Sequence, residues 1–210
     1  MINRNVIFHW RFAWLLLLGL LSAAASARDT LLILGDSLSA GYRLPVAQAW
    51  PTLLAQRWQA QQDLPQVVNA SVSGDTVAQG FARLPALLQQ HQPRWVLIEL
   101  GANDGLRGFP VANITADLSQ VIELVQQAGA KPLLMQINIP PNYGRRYTDA
   151  FSALYPALAQ RFAIPLLPFF MPQVALKPHW MQDDQLHPNQ AAQPFIATWM
   201  AEQLTAVIQP

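Results

Sequence analysis

Ser37, in the run Gly35-Asp36-Ser37-Leu38, and His187, three residues after Asp184, are the residues of this chain whose types and spacing suit covalent chemistry. A serine hydroxyl attacks a carbonyl only when a base takes its proton. An imidazole does that near neutral pH, and a carboxylate can fix its tautomer. Asp184 lies close enough in sequence for one turn to aim it at the His187 ring. Serine, histidine and aspartate are the parts of an acyl-transfer site, and a serine hydrolase is expected. Apart from His187, the chain beyond residue 27 holds only His91 and His179, and neither has an acid one turn before it.

The supporting elements follow from hydrophobic pattern. Apolar runs at Thr30 to Leu34, Val67 to Ala70, Trp95 to Leu100, Leu133 to Ile137 and Ile164 to Leu167 read as strands. They are apolar throughout, as parallel strands covered on both faces are. Between them lie helix-length stretches. Ile114, Leu118, Val121, Ile122 and Val125 recur at the spacing of one helical face, and Gly129 then stops that helix. A last helix is expected from about Pro188, burying Ile196, Met200, Leu204 and Val207. Pro85 and Pro156 are expected to kink or split two others. The βαβα alternation predicts an α/β fold: a three-layer α/β/α sandwich, flavodoxin-like, with a parallel sheet of about five strands.

Four polar blocks fall just past strand ends or at a helix start, where open α/β sheets bind ligands. They are GDSLSAG (Gly35 to Gly41), NASVSGDT (Asn69 to Thr76), GAND (Gly101 to Asp104) and DDQLHPN (Asp183 to Asn189). The amides of Ser37 and Gly74 and the side chain of Asn103 are candidate donors to a developing oxyanion. Gly74 would allow close backbone approach and an unusual φ. Asp36, Asp75 and Asp104 read as hydrogen-bonding scaffold, and Asp183 is the runner-up for the acid. A Ser37 that merely caps the next helix is the plain competitor.

With these four blocks the chain resembles the SGNH, or GDSL, hydrolases over essentially everything after residue 27. The resemblance maps the family's Ser, Gly, Asn and His onto Ser37, Gly74, Asn103 and His187, and its acid onto Asp184. One departure is Gln185, where similar members often carry glycine. The resemblance implies fatty acyl esters and thioesters as substrates, lysophospholipids and aryl esters among them, with an acyl-enzyme on Ser37. It also implies a mobile loop at Gly105 to Pro110 and an acyl pocket near Ile139 and Pro140. The connection Asn138 to Arg146, rich in Pro, Asn and Gly, is a candidate border of the site.

Other classes compete. A carbohydrate acetylesterase would use the same residues on a short acyl group. A flavodoxin-like module would cradle phosphate in Gly35 to Gly41, and a lipid-binding relative would have lost catalysis.

Arg4 and Arg11, the apolar core Phe12 to Leu21 and the small-residue pattern Ala25-Ser26-Ala27 read as a signal peptide over residues 1–27. The apolar core is shorter than the roughly 20 residues of a membrane span. Export to the periplasm, cleavage before Arg28, one domain over 28–210, a monomer and no membrane anchor are expected. The whole chain has net charge +1; without Arg4 and Arg11 it holds 11 basic and 12 acidic side chains. No dense basic cluster suggests nucleic acid. The absence of cysteine excludes disulfides, thiolate metal ligands and a cysteine nucleophile. No His, Asp and Glu spacing suggests a metal, and no cofactor is expected. Asn69 and Asn113 both match the N-glycosylation rule, and chance is the better reading for Asn69, inside a candidate catalytic block.

Overall fold

The computed structural model describes residues 29–209. The signal peptide expected over residues 1–27 lies outside them. Five strands, β1 (Thr30–Gly35), β2 (Gln66–Asn69), β3 (Trp95–Glu99), β4 (Lys131–Met135) and β5 (Leu166–Leu167), form one sheet in the order β2-β1-β3-β4-β5. Every pairing is parallel. The chain winds outward from β1 in both directions, so the order reverses between β1 and β3. The crevice at that switch point, past the carboxyl ends of the strands, is where doubly wound sheets bind ligands.

Eight α-helices accompany the strands among the described residues. They are α1 (Ser37–Ala40), α2 (Trp50–Gln59), α3 (Val77–His91), α4 (Ala102–Leu106), α5 (Val111–Gln127), α6 (Arg145–Phe162), α7 (Met171–Ala175) and α8 (Gln193–Ile208). Helix α2 packs on α8, while α5 packs between α3 and α6, so the sheet is sandwiched as the alternation predicted. Leu31 to Leu34, Val96 to Ile98 and Leu134 to Met135 are fully buried between these layers. Strand β2 departs from that pattern. It is an edge strand, with Gln66 and Asn69 exposed and its two valines half-buried. No helix among the described residues is long and apolar enough to cross a membrane.

Proline marks where pattern and structure part. Both α3 and α6 run through their prolines, Pro85 and Pro156, and neither is split. Pro156 lacks the N–H that would reach the Ser152 carbonyl. That carbonyl instead accepts from the Gln136 side chain at 3.1 Å, which removes the penalty of an orphaned acceptor. Pro132 sits inside β4, paired with Val96 of β3. The Lys131 amide already faces the β3 side, donating to Arg94 O. The missing donor of Pro132 therefore points to the other side, where β5 has not yet begun. The final helix starts at Gln193, later than expected. Pro188 instead forms an antiparallel bridge with Met181, and the Asn189 side chain accepts from the Ala191 amide in a short 3₁₀ turn (Gln190–Ala192).

Candidate active site

Ser37 opens α1 two residues beyond the end of β1. The helix cap is Asp36, whose carboxylate accepts from the Leu38 amide at 3.1 Å, so the Ser37 hydroxyl is not occupied by capping. The hydroxyl instead lies 2.9 Å from Nε2 of His187. On the other side of the ring, Nδ1 is 2.8 Å from Oδ2 of Asp184. The second oxygen, Oδ1, accepts from the amides of Leu186 (2.9 Å) and His187 (3.0 Å), which locks the carboxylate beneath the ring. What burial Asp184 has pushes its pKa up, but these two amide bonds and the adjacent imidazole outweigh it and hold the carboxyl at about 2. Asp184 is therefore ionised wherever the imidazole can act as a base. Gln185, between acid and base, has φ +55°. That left-handed conformation suits glycine, and Gln185 offsets the strain partly with a side-chain bond to Gln182 O at 3.1 Å.

Asn103 stands in α4, just past β3. Gly101 makes the turn into that helix at φ +112°, with the Tyr155 hydroxyl filling the space a Cβ would need. The Asn103 Nδ2 lies 3.2 Å from Asp36 Oδ2 and 3.0 Å from the Asp75 carbonyl. Both N–H groups of that amide are thus engaged within the protein. Gly74, in the turn between β2 and α3, has φ +88°, but a Cβ there would meet open space. The positive φ is what calls for glycine here, and the side a Cβ would occupy is left open. Arg107 donates to its carbonyl at 3.1 Å.

The three flanking aspartates tie the blocks together. Besides Asp36, Asp104 accepts from the Val77 amide at the start of α3 at 3.0 Å, and Asp75 pairs with Arg83 at 2.7 Å. Behind Asp36 lies Glu99, fully buried at the end of β3. Its Oε2 accepts from Ser39 at 2.6 Å, and its Oε1 is buried without a partner. Burial, reinforced by the Asp36 charge, pushes Glu99 well above the usual carboxylate range; burial likewise pushes Asp36 up to about 7. A raised acid holds its proton in the folded state after the unfolded chain has lost it. Stability contributed by Glu99 is therefore present at low pH and declines as pH rises above about 4.5. Glu99→Gln is expected to remove this dependence. Its advantage over wild type should grow by up to about tenfold in the folding equilibrium per pH unit. Urea unfolding at pH 5 and pH 8 measures it, and an equal difference at both would refute the buried neutral acid.

An apolar cavity of about 530 Å³ opens at Ser37, Asn103 and His187. Leu106, Ile139, Pro140, Phe169, Met171 and Met181 are among the residues of its apolar wall. The Asn138 to Arg146 connection thus borders the site, through Ile139 and Pro140. Gly105 and Leu106 are the last residues of α4, so only Arg107 to Pro110 of the expected loop lies outside the helix. Sequence reasoning missed Phe169, Met171 and Met181 in the wall. It also missed Tyr42, whose ring centroid is 4.4 Å from that of His187. Tyr42 directly follows the GDSLSAG block, and that adjacency was the available signal.

A serine, an imidazole and a carboxylate in hydrogen-bonded series, at the switch point of a parallel sheet and facing an apolar cavity, are the equipment of an α/β serine hydrolase. The comparisons with known proteins agree. The chain belongs to the GDSL-like lipase/acylhydrolase family, whose model matches residues 33–193, and it is an ester-hydrolysing enzyme. It is 61% identical over 208 residues to the thioesterase 1/protease 1/lysophospholipase L1 of Escherichia coli (strain K12), covering 99% of this chain and 98% of that one. An arylesterase of Vibrio mimicus is 52% identical, over 92% of this chain and 97% of its own. Among solved structures, the psychrotrophic esterase EstA from Pseudoalteromonas sp., inhibited by monoethylphosphonate, superposes with a TM-score of 0.84. It shares 43% identity, with 87% of this chain and 100% of that chain covered.

Proposed function

We propose that the protein hydrolyses fatty acyl esters and thioesters, including lysophospholipids and aryl esters, through an acyl-enzyme on Ser37. The observation that carries this reading is the continuous Asp184–His187–Ser37 series opening onto an apolar cavity. His187 Nε2 takes the Ser37 proton as Oγ attacks the carbonyl carbon, and the imidazolium formed is stabilised by Asp184. The carbonyl oxygen becomes an oxyanion, with the amides of Ser37 and Gly74 and the Asn103 side chain as its donors. Of the two resting contacts of Asn103, the longer one, to Asp36, is the one to be shared with it. His187 then returns the proton to the departing alcohol or thiol. Water, deprotonated by the same imidazole, then adds to the acyl carbon; the bond to Ser37 Oγ breaks, His187 returns the proton to Oγ, and the free acid leaves. Inhibition of the EstA relative by a phosphonate supports the assignment, since organophosphonates are the inhibitors that nucleophilic serines take.

The acyl chain is read as lying along Leu106, Ile139, Pro140 and Phe169. Each methylene removed from water is worth about 0.8 kcal/mol, so kcat/KM should rise by up to roughly fourfold per carbon until the cavity is filled. The assay is kcat/KM for p-nitrophenyl acetate, butyrate, hexanoate, octanoate and decanoate, below their micelle concentrations. The enzyme for it comes from the periplasmic fraction, where the export reading places a monomer beginning at Arg28; N-terminal sequencing and gel filtration check both. A steady fall from acetate to decanoate would favour the carbohydrate acetylesterase reading, with the same catalytic residues.

A further inference from the structure

Ser37 and His187 are 150 positions apart in the chain, yet their reacting atoms are 2.9 Å from each other. Ser37 is held by α1. His187 stands on an arch from His179 to Asn189 with almost no regular structure. The arch closes on itself: Gln182 N donates to His187 O at 2.8 Å, and Asn189 N to Trp180 O at 2.7 Å. Those bonds set its shape but leave open where it sits relative to the nucleophile.

Apart from His187 itself, the Gln182 side chain makes that connection by hydrogen bonds among the described residues. Nε2 of Gln182 donates to Pro188 O within the arch at 3.0 Å and to Tyr42 O at 2.9 Å. Tyr42 directly follows the Gly41 cap of α1, and its own amide donates to Ser37 O at 3.2 Å. A path of two hydrogen bonds and one backbone unit therefore runs from the nucleophile to the arch. The Tyr42 ring also lies against the imidazole, with ring centroids 4.4 Å apart. Neither Gln182 nor Tyr42 lines the acyl cavity.

We propose that Gln182 is a positioning residue, whose side-chain amide registers the His187 arch against the nucleophile helix so that Nε2 meets Ser37 Oγ. The inference rests on the reading of Ser37 as nucleophile and His187 as its base. Both N–H groups of the amide are used, so donors at that position are the requirement, and a group of the same shape without them will not serve. A displacement of about 1 Å between reacting groups can cost as much as 10²-fold in rate.

The test compares Gln182→Glu and Gln182→Met, which keep the length and lose both donors, with Gln182→Lys, whose ammonium can reach both carbonyls. The glutamate and methionine variants should lose about 10–10²-fold in kcat with KM changed less than about twofold. Fluorophosphonate labelling should slow in parallel yet reach the same endpoint, because the endpoint counts folded enzyme. The lysine variant should recover part of the rate. Wild-type kcat in the donor-free variants would overturn the proposal. So would an endpoint reduced in proportion to activity, or variants that fail to fold, since either would assign Gln182 to the fold alone. Labelling that persists in Ser37→Ala is a separate result, and it would remove the catalytic reading instead.

Discussion

Ser37→Ala is expected to lower kcat by about 10⁶-fold and to abolish labelling by a fluorophosphonate, while the protein folds as before. The size follows from the role. Without the hydroxyl there is no covalent intermediate, and only carbonyl polarisation and substrate placement remain, worth about 10³–10⁴ over water. The preserved fold follows from the contacts. Ser37 is only partly buried, and the contact its hydroxyl makes is with His187. The helix cap belongs to Asp36. Intact-mass analysis after labelling, together with the thermal midpoint, checks both halves. A labelled Ser37→Ala would move the nucleophile elsewhere, and an unfolded one would mean that the hydroxyl carries structural weight the contacts do not show.

The elements that position this site were legible because burial on both faces leaves a strong signature. Strands β1, β3 and β4 are apolar runs of the length a covered parallel strand needs, and α5 shows its buried face at helical spacing. The four polar blocks were legible because each interrupts such a pattern at a strand end or a helix start. Other features depend on partners that local sequence does not reveal. The carbonyl that α6 frees at Pro156 is satisfied by Gln136, some twenty residues earlier and just past β4. The delayed start of α8 rests on Pro188 pairing backward with Met181. The cavity wall draws on α4, the loop after β4, and the segments around Phe169 and Met181, and no spacing rule links these. Nothing in the local sequence singles out Gln182, which stands just before the DDQLHPN block. Its importance comes from Tyr42, 140 positions away.

Asp184→Asn is expected to lower kcat by about 10⁴-fold with little change in KM. The amide keeps one oxygen for the Leu186 and His187 N–H groups, so the arch retains its shape. At the second oxygen, 2.8 Å from Nδ1, it places an NH₂. The ring must then accept at Nδ1 and carry its proton on Nε2. Nε2 would present an N–H to Ser37 where catalysis needs a lone pair, and the imidazolium would lose its counter-charge. Asp183→Asn is the matched control, because the carboxylate that meets the His187 ring belongs to Asp184. The control should stay within about twofold of wild type, as surface substitutions away from such contacts do. The pH dependence supplies a second check. With its carboxyl held at about 2, Asp184 contributes folded-state stability above the ordinary value of 3.8 and loses it only as pH falls toward 2. An activity loss between pH 4 and pH 7 therefore does not come from protonating Asp184. Steady-state kinetics of both variants on p-nitrophenyl butyrate decide the matter: a larger loss in Asp183→Asn would exchange the two acids, and a loss below tenfold in Asp184→Asn would leave His187 oriented by Tyr42 and the arch alone.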